Sequence, residues 1–172
     1  MARLPEVREK HQLPEEHHKF IDYLVKTRGA VSNGFSILLN SPELASRIAH
    51  LGSYVRFESV LDDRTRELAA LTASTEMGNG YEQAIHARAL LDLGVAETTV
   101  EAVKAGTSLD GAEADLLLPV RCARELLRDH RLSDDAFAAA HASLGDRGTV
   151  ELIANIGYYS MLACLHVALE VK

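Results

Sequence analysis

Apolar residues recur at helical spacing along most of the chain, and no stretch alternates as a half-buried strand would. Helix punctuation bounds each periodic segment. Pro14-Glu15-Glu16 starts the first, which carries Phe20, Ile21, Leu24 and Val25 and stops at Gly29. A link through Asn33-Gly34 holds Phe35, Ile37, Leu38 and Leu39. Ser41-Pro42-Glu43 opens the next helix, with Ser as N-cap and Pro at the first helical position. That helix extends to about Glu58, with Leu44, Ile48, Leu51 and Val55 on its apolar side. Asp62-Asp63 caps a helix carrying Leu68 and Leu71 to near Gly78, and another runs from about Gly80 to Leu93 before Gly94. Asn79-Gly80 is a hairpin signal between strands, but here it separates two helical patterns and is expected to form a tight helix–helix turn. Helices over Glu97–Ala105, Ala112–Arg128, Asp134–Ser143 and Val150–Leu169 complete the chain, with Pro119 predicting a kink or break. In the last of them Leu152, Ile153, Ile156, Tyr159, Leu162, Ala163 and Leu169 form the apolar side. The expected fold is an all-α bundle of about seven to nine helices.

A chain of 172 residues with 47% hydrophobic content can bury one sizeable core, so a single domain over 1–172 is expected, with 1–40 as an N-terminal arm and helices. Its formal net charge of −7, without a Lys/Arg run, would be repelled by phosphate backbones and anionic lipid, which argues against nucleic acid and membrane as partners. No run of about eighteen apolar residues is present to span a bilayer. Met1 to Gln12 lacks the apolar core of a signal peptide. Cys122 and Cys164 both fall in apolar helical patterns, which predicts buried free thiols and a reducing, cytoplasmic location. The N-terminal arm and the C-terminal helix carry more apolar surface than one small bundle covers, so self-association is expected. His50, His130, His141 and His166 have no acidic or Cys partner at metal-ligand spacing. Neither a glycine-rich phosphate loop nor a GxSxG motif occurs, so no metal or cofactor is expected.

Chemistry concentrates in Arg66-Glu67-Leu68-Ala69-Ala70-Leu71, Asn79-Gly80-Tyr81-Glu82-Gln83-Ala84-Ile85-His86 and the following helix end. Glu82 and His86, four apart, share a helix face, and His86 continues into Ala89, Leu90 and Leu93 on the buried side. Glu67 shares a face with Ala70, Leu71 and Ser74, which draws its carboxylate inward. A carboxylate and an imidazole converging in an apolar setting acquire shifted pKa values suited to acid–base chemistry. The spacing predicts that Glu67 and His86 meet across the Gly78–Gly80 turn. Each residue also has a purely structural role open to it. Asn79 and Glu82 match a capping box. Glu67 could be ion-paired with Arg64 and favoured by its own helix dipole. His86 could be a satisfied core histidine.

These motifs, with Ser41-Pro42-Glu43-Leu44-Ala45 upstream and Ile156-Gly157-Tyr158-Tyr159-Ser160-Met161-Leu162-Ala163 downstream, resemble the carboxymuconolactone decarboxylase-like superfamily over about residues 13 to 171. The resemblance implies an alkylhydroperoxidase D-like helical bundle that assembles into dimers, trimers or hexamers. The alkylhydroperoxidase D-like branch carries Cys-x-x-Cys followed by His, with an upstream Glu. Here Glu67 and His86 match the acid and the histidine, but the cysteine positions fall on Asn79 and Glu82. Disulfide redox chemistry needs an attacking and a resolving thiol, so thiol peroxidase activity is not expected. The decarboxylase branch also has Glu and His four apart. That similarity implies a cofactor-independent carboxy-lyase of aromatic catabolism acting on a small carboxylated lactone or cyclic acid. On this reading Glu67, Glu82 and His86 are catalytic, and Arg64, Arg66, Asn79 and Tyr81 bind an acidic substrate. The alternative is a non-catalytic small-molecule binding or oligomeric scaffold protein of the same fold.

Overall fold

The computed structural model describes residues 2–109 and 112–171. Eight α-helices and four short 3-10 or π-helical turns account for the regular structure, and no strand occurs among the described residues. The chain divides into two compact units, one of residues 1–58 and 165–172, the other of residues 59–164.

In the first unit, 3-10 turns at Lys10–Gln12 and Glu15–His17 lead into α1 (His18–Arg28), which ends on Gly29. The link around Asn33-Gly34 is itself a short helix, α2 (Asn33–Leu38), capped by the Ser32 side chain accepting from the Phe35 N–H. α3 (Pro42–Ser53) begins with Pro42 at its first position, yet the Ser41 side chain makes no capping hydrogen bond, and a π-helical turn, Tyr54–Glu58, extends it. The buried stripe of α3 is Ala45, Ile48, Ala49 and Gly52, continued by Val55 in the turn. Leu44 and Leu51, expected inside, are both 46% exposed because they lie seven apart on the neighbouring stripe. Val25 is displaced from the Phe20–Ile21–Leu24 face in the same way. Arg3 ties the N-terminal segment to the C-terminus, its N–H donating to the Leu169 carbonyl at 2.9 Å and its guanidinium pairing with Glu170 at 2.8 Å.

The second unit is built around α4 (Asp63–Glu76), which packs against α5 (Gly80–Asp92), α6 (Glu97–Lys104) and α7 (Ala114–Arg124). Leu68 through Ser74 are all buried, so α4 is enclosed on every side, as its run of Leu, Ala, Thr and Ser allows. Leu68, Leu71, Leu90, Val100, Val103 and Val120 fill the centre. Asp62 caps α4, accepting from the Thr65 N–H at 3.0 Å. α7 runs through Pro119 without the predicted break: as its sixth residue, Pro119 forfeits only the bond to a carbonyl in the first turn. A π-helical turn, Glu125–Asp129, follows.

α8 (Asp134–Ala168) joins the two helices expected near the C-terminus. They remain distinct in backbone terms, because Gly145 sits between them at φ 65°, ψ −176°, a conformation open essentially to glycine alone. α8 is long and apolar enough by composition to cross a membrane, contrary to the expectation for every segment; half of its most apolar window is buried within the chain. Its buried stripe includes Leu152, Asn155, Ile156, Tyr159, Leu162 and Ala163. Cys164 is exposed, against expectation, because it lies seven residues after exposed Gly157 on the other side of the helix, whereas Cys122 is fully buried.

Candidate active site

The turn between α4 and α5 fixes the site. Gly78, at φ 68°, takes the left-handed conformation that closes α4. The Gly78 N–H bonds back to the Thr75 carbonyl and the Asn79 N–H to the Ser74 carbonyl, the paired bonds of a Schellman motif. Asn79 then caps α5, its Oδ1 accepting from the Glu82 N–H at 3.4 Å. One tripeptide thus ends one helix and starts the next, and Glu82 and His86 are turned towards Glu67 on the antecedent helix.

His86 Nδ1 lies 2.6 Å from Glu67 Oε2, so the approach expected across nineteen residues is found. His86 Nε2 lies 3.4 Å from Glu82 Oε2 without hydrogen-bonding geometry. The imidazole is therefore held firmly at one nitrogen and loosely at the other, with a carboxylate at each. Its side chain is only 4% exposed, against 13% for Glu67 and 12% for Glu82. Burial opposes a charge on this ring, but the hydrogen bond to Glu67 and the nearby carboxylates of Glu67 and Glu82 outweigh it and hold His86 above its ordinary value of 6.5. Tyr159 of α8 closes the arrangement, its ring edge-on to the imidazole at 4.4 Å between centroids.

The four expected substrate-binding residues separate. The Arg66 side chain, 13% exposed, stays at the site: its Nη2 donates to Asp63 at 2.7 Å, and its Nε lies 3.9 Å from Glu67 Oε1. Asn79 is buried and serves as the α5 cap. Tyr81 is half-buried in the first turn of α5. Arg64 does not join the cluster. It is exposed, donates to the Leu93 carbonyl at 3.2 Å, and lines a cavity of about 470 Å³ with Val95, Thr99, Ser108, Leu109 and Leu116. Arg64 is the second residue of α4, one turn before Glu67, and its side chain is drawn to the Leu93 carbonyl at the end of α5 rather than to the carboxylate. None of Glu67, Glu82 and His86 lines that cavity.

Sequence reasoning had placed Tyr159 on the apolar side of the last helix without linking it to His86. The available signal was polar residues at core spacing in α8, namely Glu151, Asn155 and Tyr159. Among the described residues no cluster of His, Cys, Asp and Glu has the form of a metal site.

Residues 42–117 match the carboxymuconolactone decarboxylase family. Comparison with curated proteins returns no match. Among solved structures, an uncharacterised peroxidase-related protein from Silicibacter sp. is similar with a TM-score of 0.79 at 16% identity, over 99% of this chain and 91% of that one. A second, described as an alkylhydroperoxidase AhpD core protein from Ralstonia eutropha, gives 0.81 at 16% identity with the same coverage, 99% and 91%. The debrominase Bmp8, as a cysteine-to-alanine variant in complex with 2,3,4-tribromopyrrole, gives 0.73 at 15% identity over 100% of this chain and 92% of that one. At such identities these structures bear on fold, and the fold they share is the alkylhydroperoxidase D-like helical bundle. Residues 42–117 thus carry the pattern of the carboxymuconolactone decarboxylase family on an alkylhydroperoxidase D-like fold, and the sequence holds no Cys-x-x-Cys pair.

Proposed function

We propose that this protein is a cofactor-independent acid–base enzyme, a carboxy-lyase acting on a small carboxylated lactone or cyclic acid. The observation that carries the reading is the buried imidazole of His86 held between two carboxylates, Glu67 at 2.6 Å and Glu82 at 3.4 Å. A histidine whose pKa is raised holds its proton more tightly than a free imidazole and can deliver it to a basic carbon. Nε2, outside hydrogen-bonding geometry with Glu82, is the nitrogen with a proton to give. In the reaction the substrate's carbon–carboxylate bond breaks and CO2 leaves. The electron pair delocalises into the conjugated ring carbonyl, and Nε2–H protonates the resulting enolate carbon. Water then returns a proton to the neutral imidazole, so one proton is consumed for each CO2 released. Glu67 fixes the ring and stabilises its charge, and Arg66 is the cation nearest to the cluster for a second substrate carboxylate.

CO2 release from a panel of carboxylated lactones, run in deuterated water, tests the reading. The expected result is turnover with one solvent deuteron in the product, reduced about 10²-fold or more in His86→Gln. Turnover unchanged in His86→Gln would overturn it. The rival, a non-catalytic binding or scaffold protein, draws support from the 470 Å³ cavity, which lies apart from His86. Metabolite binding that is abolished by filling that cavity, through Ala102→Leu, and is indifferent to His86→Gln would favour the rival.

A further inference from the structure

Asn155, on α8, is 1% exposed, and among the described residues neither its Oδ1 nor its Nδ2 has a hydrogen-bond partner. A buried carboxamide with donor and acceptor both unsatisfied is costly to keep, and native structures retain few. An apolar side chain of the same size would suit a helix face of Leu152, Ile156 and Leu162 better. Its retention therefore points to a partner that is not part of the fold.

The helical register says where that partner would sit. One turn earlier on the same face, the Glu151 carboxylate accepts from the Ser59 hydroxyl and the Val60 N–H, both at 2.7 Å. One turn later, Tyr159 meets the His86 ring edge-on. Asn155 is thus bracketed between the segment entering α4 and the imidazole. The Arg66 guanidinium belongs to the same neighbourhood, its Nη1 3.5 Å from the Leu61 carbonyl and its Nε 3.9 Å from Glu67. Arg66 Nε and His86 Nε2 are also buried without a hydrogen-bond partner. A cation, a proton donor and a neutral amide, on three helices, each carry a buried polar atom outside any hydrogen bond.

Resting on the carboxy-lyase reading, we propose that the Asn155 carboxamide donates its Nδ2–H to the ring carbonyl oxygen of the substrate, and so selects lactone acids over acids lacking that carbonyl. The chemistry matches the demand. When CO2 leaves, negative charge develops on that oxygen, and a preorganised neutral donor in a water-poor site stabilises it without reorganisation. A site built to hydrogen-bond one substrate group also discriminates sharply against an analogue without it.

Two probes test this by calorimetry: paraconate, a five-membered lactone bearing one carboxylate, and the matching tetrahydrofuran carboxylate, which lacks the ring carbonyl. Wild type is expected to prefer paraconate by roughly tenfold. Asn155→Leu is expected to erase the preference while binding the carbonyl-free acid as wild type does. Its melting temperature should be equal or higher, since no protein partner is lost. Asn155→Ala serves as a smaller second replacement with the same expected loss of preference. A preference that survives both replacements, while His86→Gln weakens both acids, overturns the role of Asn155 and leaves the carboxy-lyase reading standing. A marked fall in melting temperature for Asn155→Leu at unchanged preference overturns it as well. If neither acid binds to wild type, the carboxy-lyase reading fails and the inference falls with it.

Discussion

Replacing Glu67 by Gln keeps the shape of the side chain and a carbonyl acceptor for His86 Nδ1, and removes one charge from the cluster. A hydrogen bond to a charged group contributes about 1.5–3 kcal/mol, against about 1 kcal/mol for a neutral one, so Glu67→Gln should cost about 1–2 kcal/mol. The Glu67 carboxylate is 13% exposed, so solvent screening removes little of this. The cost should depend on pH. Folded His86 holds its proton more tightly than the unfolded chain, so the pair's contribution is complete below the ordinary value of 6.5 and is lost as pH rises through the higher folded value. Urea unfolding of both proteins at about pH 5.5 and about pH 9 provides the assay. The expected gap of about 1–2 kcal/mol at the lower pH, equivalent to roughly 2–8 °C in melting temperature, should shrink at the higher one. A gap of equal size at both pH values would show that Glu67 does not hold a charge on His86, and the acid–base role would go with it.

The double variant Cys122→Ser, Cys164→Ser should keep the native activity, and wild type should turn over no alkyl hydroperoxide with a dithiol. Burial, with Glu125 nearby, pushes the Cys122 thiol up to about 11, far from a reactive thiolate; peroxidase activity lost only in the double variant would refute this. Gly34→Ala should destabilise the protein by about 1–3 kcal/mol, because the added Cβ would meet His166 Nε2 at 2.5 Å in a buried setting; an unchanged melting curve would count against that packing. Exposed Leu44, Leu51 and Phe57 on α3 and its extension, with Phe137 and Val150 on α8, favour self-association at micromolar concentration; a light-scattering mass near 18.8 kDa would refute it.

Local grammar accounts for how much of this could be read from the residues. Asp62, Asn79, Gly29, Gly78 and Gly94 all lie at helix ends, because caps and left-handed glycines act within a few residues and need no tertiary knowledge. The meeting of Glu67 and His86 was legible for the same reason: one short turn fixes how α4 and α5 face each other. Which stripe of a helix turns inward was less legible. In α3 both Leu44–Leu51 and Ala45–Ile48–Ala49 are apolar at helical spacing, and only tertiary packing chose the smaller one. Tyr159 lay beyond reach too, since it comes to His86 from a helix some seventy residues further along the chain. The fate of Cys164 followed from the same ambiguity of stripe.

The exchange of thiol for carboxylate at Glu82 changes more than the redox chemistry it removes. The first turn of a helix favours negative charge, whether carried by sulfur or by oxygen. A thiolate there spends its charge on a bond to its oxidant or substrate, but a carboxylate keeps it. Glu82, in the first turn of α5 and one turn before His86, places a carboxyl group 3.4 Å from Nε2, opposite the one Glu67 places 2.6 Å from Nδ1. With one carboxylate the imidazole could pass a proton between a partner and solvent. With two the imidazole holds its proton more tightly, and on the proposed carboxy-lyase reading the carbanionic carbon left by departing CO2 is the site that takes it. The asymmetry of 2.6 Å and 3.4 Å decides which nitrogen lets go. The same geometry explains why Asn79, in the other cysteine position, needs no chemistry of its own: its side chain caps the helix that carries the pair.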